Sequence, residues 1–319
     1  MPLYISEEEV EQLVTVEEAI TAVDDLFHLM GTGHAPVAVR QRPKIDHSMI
    51  QIMGGAVEGV GLGLKAYTVT GSGPRFVVLL FDHDTGELLA LVEADRLGRC
   101  RTAAASGVGT RYMAKADAKS LGVIGSGWQA IPQIEAVCAV RGIDEVRIYS
   151  PNEEHRAAAA HEASERVRAA VTAVGSAEEA VSGADVVVTI TSALNPVVRG
   201  AWLSPGCHVN AAGSNRITCA ELDGELMRMA SIVAVDNLEQ AKSEAGDIAR
   251  AVSEGSLKWE KVVELGSIVA ASRGNGLWDR PEGAITVFES LGVGTEDVAL
   301  ARVVYEKARR SGAGRRFPS

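Results

Sequence analysis

Leu121-Gly122-Val123-Ile124-Gly125-Ser126-Gly127-Trp128-Gln129-Ala130 is the stretch that decides the fold of this 319-residue chain. A short apolar run ends in Gly125-x-Gly127-x-x-Ala130 and leads into an apolar segment from Ala130 to Val140. Strand, glycine turn and helix in that order are what a dinucleotide-binding βα unit requires. Gly125 allows the tight turn, Gly127 lets the backbone approach a pyrophosphate, and Ala130 is small enough for close helix–sheet packing. The diphosphate then rests on free N–H groups at the positive end of the helix. Any tight βα turn can carry such a fingerprint, so its weight comes from the strand–helix alternation on its C-terminal side.

There the βα rhythm continues. Glu145–Ser150 reads as a strand, 152–166 as a helix, and Val171–Val174 as a strand. Ser176-x-x-Glu179 caps a short helix. Asp185–Thr191 is almost continuously apolar, as a parallel strand buried on both faces demands. His208–Gly213, a helix from Glu221 and a strand over Ser231–Asp236 extend the pattern. The expected fold is an α/β, doubly wound Rossmann-type sheet, with ligands at the carboxyl ends of its strands. Thr191-Ser192, Gly213-Ser214-Asn215 and Asp236-Asn237 lie at such ends. Ordinary turn chemistry accounts for Asp236-Asn237, whereas Asn215 is taken as a site residue. An acid about 20 residues past the glycines usually holds the ribose 2′-OH and selects NAD. Here Glu145-Val146-Arg147-Ile148-Tyr149 ends in Ser150-Pro151-Asn152 with no acid at its tip, and Arg156 comes next as a basic residue within reach. That favours NADP over NAD, with Glu153 and Glu154 close by as the counter-argument.

Upstream, Ser6-x-x-Glu9 and Thr15-x-x-Glu18 are capping boxes, so residues 1–35 read as two helices. Val16, Ile20, Val23, Phe27 and Met30 form the apolar face of the second. From Val37 to about Val92 the pattern turns to strands, with Met49–Met53, Leu64–Val69 and Phe76–Phe81 as the apolar cores. Arg40 and Lys65 stand inside this sheet region. A cation on a strand that reads as core is costly to bury unpaired, so each faces solvent or meets an anion such as a substrate carboxylate. Leu97-Gly98-Arg99-Cys100 reads as a turn feeding an Ala-rich helix, with Arg101 and Thr102 near its start as anion ligands.

Composition bounds the rest. Hydrophobic residues make up 46% and charged ones 23%, the balance of a soluble globular protein. A net charge of −11 without a basic stripe argues against nucleic acid or an anionic membrane as partner. The basic pairs Arg309-Arg310 and Arg315-Arg316 read as a solvated end. No apolar run spans a bilayer and no signal peptide is evident, so a cytoplasmic protein is expected. Cys100, Cys138, Cys207 and Cys219 lack metal-ligand or disulfide spacing and read as reduced thiols, so no metal is expected.

Over essentially its whole length the chain resembles the ornithine cyclodeaminase/mu-crystallin family. The resemblance rests on Arg40…Met53, Gly63-Leu64-Lys65, Arg101-Thr102-Ala103-Ala104 and Gly125-x-Gly127-x-Gln129-Ala130. It continues in Asn210-Ala211-x-Gly213, Glu221-Leu222-Asp223 and Thr286-Val287-Phe288-Glu289-Ser290-Leu291-Gly292. The resemblance implies a homodimer and a discontinuous layout. Residues 1–116 and 296–319 would form a smaller α+β substrate and dimerisation domain, and 117–295 the dinucleotide-binding domain. It implies that Lys65 and Arg40 hold a substrate α-carboxylate, that Lys65 polarises the reacting C–N group, and that Arg101 contacts carboxylate and cofactor. Gly125, Ser126, Gly127, Gln129 and Ala130 would cradle the diphosphate, with Thr102 beside the cofactor. Ser150, Asn152 and Arg156 would lie at the ribose, and Thr191, Ser192 and Ser290 nearer the nicotinamide. Two departures stand out: Asn215 occupies the place of the cyclodeaminases' aspartate, and Met53-Gly54 the place of the family's Met-Pro. The expectation is an NAD(P)H-dependent oxidoreductase acting on a small α-imino or α-amino carboxylate: a ketimine or pyrroline-carboxylate reductase, or an amino-acid dehydrogenase. The alternatives are a cyclodeaminase with tightly bound NAD and a non-catalytic nicotinamide- and small-ligand-binding protein.

Overall fold

A computed structural model describes residues 1–274 and 280–317. In chain order it runs β1 (Leu3–Ile5), α1 (Glu7–Leu13), α2 (Val16–Gly31), β2 (Lys44–Ile45), β3 (Ser48–Val57), β4 (Gly61–Thr70), β5 (Gly73–Phe81) and β6 (Leu88–Glu93). Then come α3 (Asp95–Met113), β7 (Ser120–Ile124), α4 (Ala130–Val140), β8 (Glu145–Tyr149), α5 (Glu153–Arg166), β9 (Ala170–Ala173), α6 (Ala177–Val181) and β10 (Val186–Thr189). The remainder is β11 (His208–Ala211), α7 (Gly224–Met229), β12 (Ile232–Val235), α8 (Leu238–Glu244), α9 (Gly246–Ser253) and β13 (Val262–Glu264). It closes with α10 (Leu265–Gly274), β14 (Thr286–Glu289), α11 (Gly294–Ser311) and β15 (Arg315–Arg316).

The chain forms two compact units, Met1–Arg101 with Gly292–Ser319, and Thr102–Leu291. The divisions fall at 101/102 and 291/292, against the 116/117 and 295/296 expected from the sequence. Hydrogen bonds explain the difference. From Thr102 onward α3 is tied into the second unit, for Gln133 Nε2 donates to the Thr102 carbonyl at 3.3 Å and Asn210 Nδ2 to Thr110 Oγ1 at 2.9 Å. The carbonyl of Gly292, in contrast, accepts from Arg40 Nη2 at 2.7 Å within the first.

The second unit holds an eight-stranded parallel sheet in the order β13-β12-β14-β11-β10-β7-β8-β9. The chain leaves β7 toward β8 and β9, then returns to place β10 on its other side, which makes the ends of β7 and β10 the switch point where such sheets bind ligands. Successive side chains of β10 face opposite cores. Val186 and Val188 pack with Ile131, Ile134 and Ala163 of α4 and α5. Val187 packs on the other face with Val181, Leu226 and Ile248. The helix expected from Glu221 begins at Gly224 instead, because Asp223 is its N-cap and accepts from Leu226 N–H at 2.8 Å.

The first unit is built on a mixed seven-stranded sheet, β15-β1-β6-β5-β4-β3-β2. Helix α11 lies on β3 and β4 and against α2. Both N-terminal capping boxes form. Arg40 is not in a strand; the segment around it follows β3 by single bridges, Val37 to Gly55 and Gln41 to Ile52. The turn expected over 97–100 is helical, because α3 starts earlier. Glu7 caps it, its carboxylate accepting from Asp95 N–H at 2.6 Å and Arg96 N–H at 2.9 Å. Arg101 and Thr102 therefore sit two turns in, past the free N–H groups that would bind an anion.

Among the described residues, no helix is long and apolar enough to cross a membrane.

Candidate active site

In the first unit the three cations expected at the site lie in one buried cluster with two carboxylates. β4 presents Lys65 inward opposite Met53 of β3. Lys65 Nζ donates to Asp297 Oδ1 at 3.2 Å, and its side chain is 4% exposed. It also stands over the stacked rings of Tyr67 and Phe76, 5.6 and 5.3 Å from their centroids. Burial pushes its ammonium down to about 8, against the opposing pull of Asp297. Gly98 of α3 makes room, since a Cβ there would lie 3.0 Å from Nζ. Arg101 donates through Nη1 to Glu296 Oε2 at 2.7 Å and through Nε to Asp297 Oδ1 at 3.1 Å. Arg40 donates to Tyr67 Oη at 3.2 Å as well as to the Gly292 carbonyl. Gly292 has φ +73°, and a Cβ would lie 2.1 Å from Arg101 Nη1, so no other residue fits this turn.

Gly98, Glu296 and Asp297 were not among the residues expected at the site. Two acids in the first turn of a helix look like ordinary dipole complements. Only tertiary packing turns them inward, where both side chains are fully buried.

In the second unit the glycine turn has the expected form. Gly125 has φ +120° and lies so close to the Ile190 carbonyl that a Cβ would be 2.5 Å from it. Gly127 is exposed, and a Cβ there would meet nothing within 4 Å. Gln129 is the N-cap of α4 but makes no side-chain cap, and no acid lies in the first turn. By comparison α2, α5, α6, α7 and α8 all have a side chain on their first-turn donors. Open space beside an uncapped helix start fits a diphosphate.

The tip of β8 gathers four expected residues. Ser126 and Ser150 share a hydrogen bond between hydroxyls at 2.7 Å. Asn152 caps α5 by accepting from His155 N–H at 2.8 Å. Arg156 donates to the Ser150 carbonyl at 3.2 Å, lies over the Tyr149 ring and is 3.7 Å from Glu153.

The loops after β10 and β11 are bound by Glu221, a residue to which sequence reasoning gives no role of its own. Glu221 is buried and accepts from Thr189 Oγ1 (2.9 Å), Thr191 N–H and Thr191 Oγ1 (both 2.7 Å), and Gly213 N–H (2.9 Å). Burial raises its pKa against those four bonds. Asp247 in turn accepts from the N–H groups of Glu221 and Leu222 at 2.7 and 2.6 Å. Thr191 thus has its hydroxyl engaged in shaping the loop, whereas Ser192 is exposed and Asn215 half-buried in the loop after Gly213. Ser290 is buried at the end of β14, its hydroxyl 3.4 Å from Asp236.

Among the described residues no group of His, Cys, Asp or Glu is arranged to hold a metal ion. The molecule thus combines one early glycine turn, a switch point and a buried basic cluster. The model of the ornithine cyclodeaminase/mu-crystallin family matches residues 2–312. The chain belongs to that family. It is 35% identical over 326 residues to the Δ1-pyrroline-2-carboxylate reductase of Bacillus cereus, covering 99% of each. It is 35% identical over 322 residues to the alanine dehydrogenase of Archaeoglobus fulgidus, covering 98% of this chain and 97% of that one. The structure of Thermococcus litoralis Δ1-pyrroline-2-carboxylate reductase in complex with NADH and L-proline superposes with a TM-score of 0.91. It is 33% identical and covers 99% of this chain and all of that one. This likeness to a family member over the whole length accounts for both units.

Proposed function

We propose that this protein is an NAD(P)H-dependent reductase that converts a small α-imino carboxylate to the α-amino carboxylate. The observation that carries the reading is the buried cluster that gathers Arg40, Lys65 and Arg101 on one surface, with Asp297 and Glu296 holding Lys65 and Arg101 in place, an arrangement suited to a carboxylate. Arg40 and Lys65 hold the α-carboxylate, and Arg101 stiffens the same surface. Lys65, poised near neutrality, donates a hydrogen bond toward the C–N group, and in the second unit Asn215 serves as a hydrogen-bonding carboxamide. Gly125, Gly127, Gln129 and Ala130 hold the diphosphate on the start of α4, and Thr191, Ser192 and Ser290 line the nicotinamide end. A reduced nicotinamide, when bound, supplies the hydride, and the protein contributes orientation and electrostatics.

Ser150, Asn152 and Arg156, with Ser126, take the ribose 2′-phosphate, so NADPH is preferred over NADH. Residues Met1–Arg101 with Gly292–Ser319 serve as the substrate and dimerisation domain, and Thr102–Leu291 as the nucleotide domain. The protein is a homodimer. Ile50 and Ile52 of β3 and Leu62 of β4 are 36–40% exposed on the sheet face opposite Lys65, an apolar surface of the kind a second copy covers.

The test is nicotinamide oxidation by purified protein, with Δ1-pyrroline-2-carboxylate and with pyruvate plus ammonia, using NADPH and NADH in parallel. The reading requires turnover with at least one imine and a higher kcat/KM for NADPH. No oxidation of either coenzyme with any α-imino acid would refute it.

A further inference from the structure

Exposed apolar side chains in the second unit gather at one edge of its sheet. Trp128, Leu194 and Ile217, exposed by 49%, 60% and 45%, stand on the loops that leave β7, β10 and β11. Those three strands are neighbours, and their carboxyl ends are where a sheet of this kind binds its ligand. Among the described residues of the unit only Met229 and Val263 join them as exposed large hydrophobics, and neither is on these loops. Singly such side chains need no explanation, but three at the ligand-binding edge mark a surface that a ligand covers. Trp128 bears most directly on the cofactor. In the chain it lies between Gly127, where a Cβ would meet nothing within 4 Å, and Gln129, the N-cap of α4 that makes no side-chain cap. An indole offers a broad apolar face and one N–H donor. Beside a diphosphate it keeps water away, and charge-assisted hydrogen bonds from the helix start strengthen as the local dielectric falls.

We propose that Trp128 is a positioning residue for the dinucleotide, its indole lying over the diphosphate on the start of α4 and screening it from solvent. This inference rests on the nicotinamide reading above. Position 128 is one of the unspecified places in Gly125-x-Gly127-x-x-Ala130, so the motif itself gives it no role. A screened ion contact has two marks. The affinity depends on the apolar group that covers it, and it falls less with salt than that of an open contact.

The test has two arms, both on the full-length protein. In the first, the Kd of NADPH and of NADH is measured by calorimetry at low and at high sodium chloride. Trp128→Ala should raise the Kd of the better-bound coenzyme on the order of tenfold at low salt. The gap from wild type should widen at high salt, and Trp128→Phe, which keeps an aromatic face, should stay within about threefold of wild type at both. In the second arm, acrylamide quenching of tryptophan emission is compared in wild type and Trp128→Phe, with and without NADP+. The difference between the two proteins reports Trp128, and saturating NADP+ should abolish most of it. This arm needs no truncated side chain, so it decides the matter if Trp128→Ala fails to fold. A merely structural role would lower the melting temperature without changing the salt dependence or the protection. Wild-type affinity in Trp128→Ala at both salt concentrations, or a Trp128 that NADP+ leaves as open to acrylamide as before, would overturn the screening role alone. Failure of wild type to bind either coenzyme would overturn the nicotinamide reading as well.

Discussion

Lys65→Met removes a buried ammonium while keeping a side chain of nearly the same length, and it should make the protein more stable and much less active. Burial lowers the Lys65 pKa from 10.5 to about 8, with Asp297 opposing that fall. At 1.36 kcal/mol per pKa unit, holding the ammonium in the fold costs about 3 kcal/mol relative to the neutral amine. Methionine stands in for that neutral form. The sign comes from proton counts. Between pH 8 and 10.5 the unfolded chain carries the proton and the folded one does not, so wild-type stability rises with pH through this window. The advantage of Lys65→Met should thus be full below about pH 8 and fade as pH approaches 10.5. Urea unfolding at pH 7 and again near pH 10 measures both the gap and its closure. Turnover with an α-imino acid should meanwhile fall at least about a hundredfold. A variant less stable than wild type at pH 7, or a gap that does not shrink with pH, would refute the electrostatic argument. Near-normal turnover would remove Lys65 from the mechanism.

Other parts of the molecule carry expectations of their own. Gly125→Ala should destabilise by roughly 2 kcal/mol or more, since its φ is +120° and the new Cβ meets the Ile190 carbonyl. Gly127→Val, with open space around it, should leave the melting temperature unchanged but raise the Kd for NADPH at least about tenfold. Wild-type protein should consume NADPH stoichiometrically with an imine and release little proline from ornithine, because the Asn215 carboxamide cannot exchange a proton as a carboxylate does. Rapid ornithine-to-proline conversion without net nicotinamide change would restore the cyclodeaminase reading. Ile52→Glu should yield monomers by analytical ultracentrifugation, and an unchanged sedimentation coefficient would move the dimer contact elsewhere.

Six of the eight strands of the parallel sheet, β7 to β12, are legible in the sequence because each is a short, largely apolar run next to a turn, a signal carried by adjacent residues, whereas β13 and β14 are not read from it. The βα elements from β7 to β12 keep closely to it. The glycine turn is legible for the same reason. The start of α3 is not, because its cap comes from Glu7, 88 residues before Asp95. The cations Arg40, Lys65 and Arg101 stand out as charges in apolar surroundings. Their partners do not, since Asp297 lies 232 residues from Lys65 and Glu296 195 residues from Arg101, and both acids resemble any acidic first turn. Local pattern reveals elements, whereas pairing between distant charges is visible only once the chain is folded.

Glu221 carries a consequence for how this enzyme can change. One carboxylate fastens the end of β10, the loop residue Thr191 beyond it and the turn after β11, so these three segments move as a single piece. Loss of the Thr189 or Thr191 hydroxyl would leave this buried acid short of a donor, and a side chain at Gly213 would put a Cβ 2.4 Å from its carboxylate, so each change loosens the clasp. Leu194 and Ile217, 60% and 45% exposed, lie on the same two loops outside the clasp. Variation confined to such positions can alter what the loops present without loosening their anchorage. A library aimed at new substrate preference would do best to keep the clasp whole and diversify around Leu194 and Ile217.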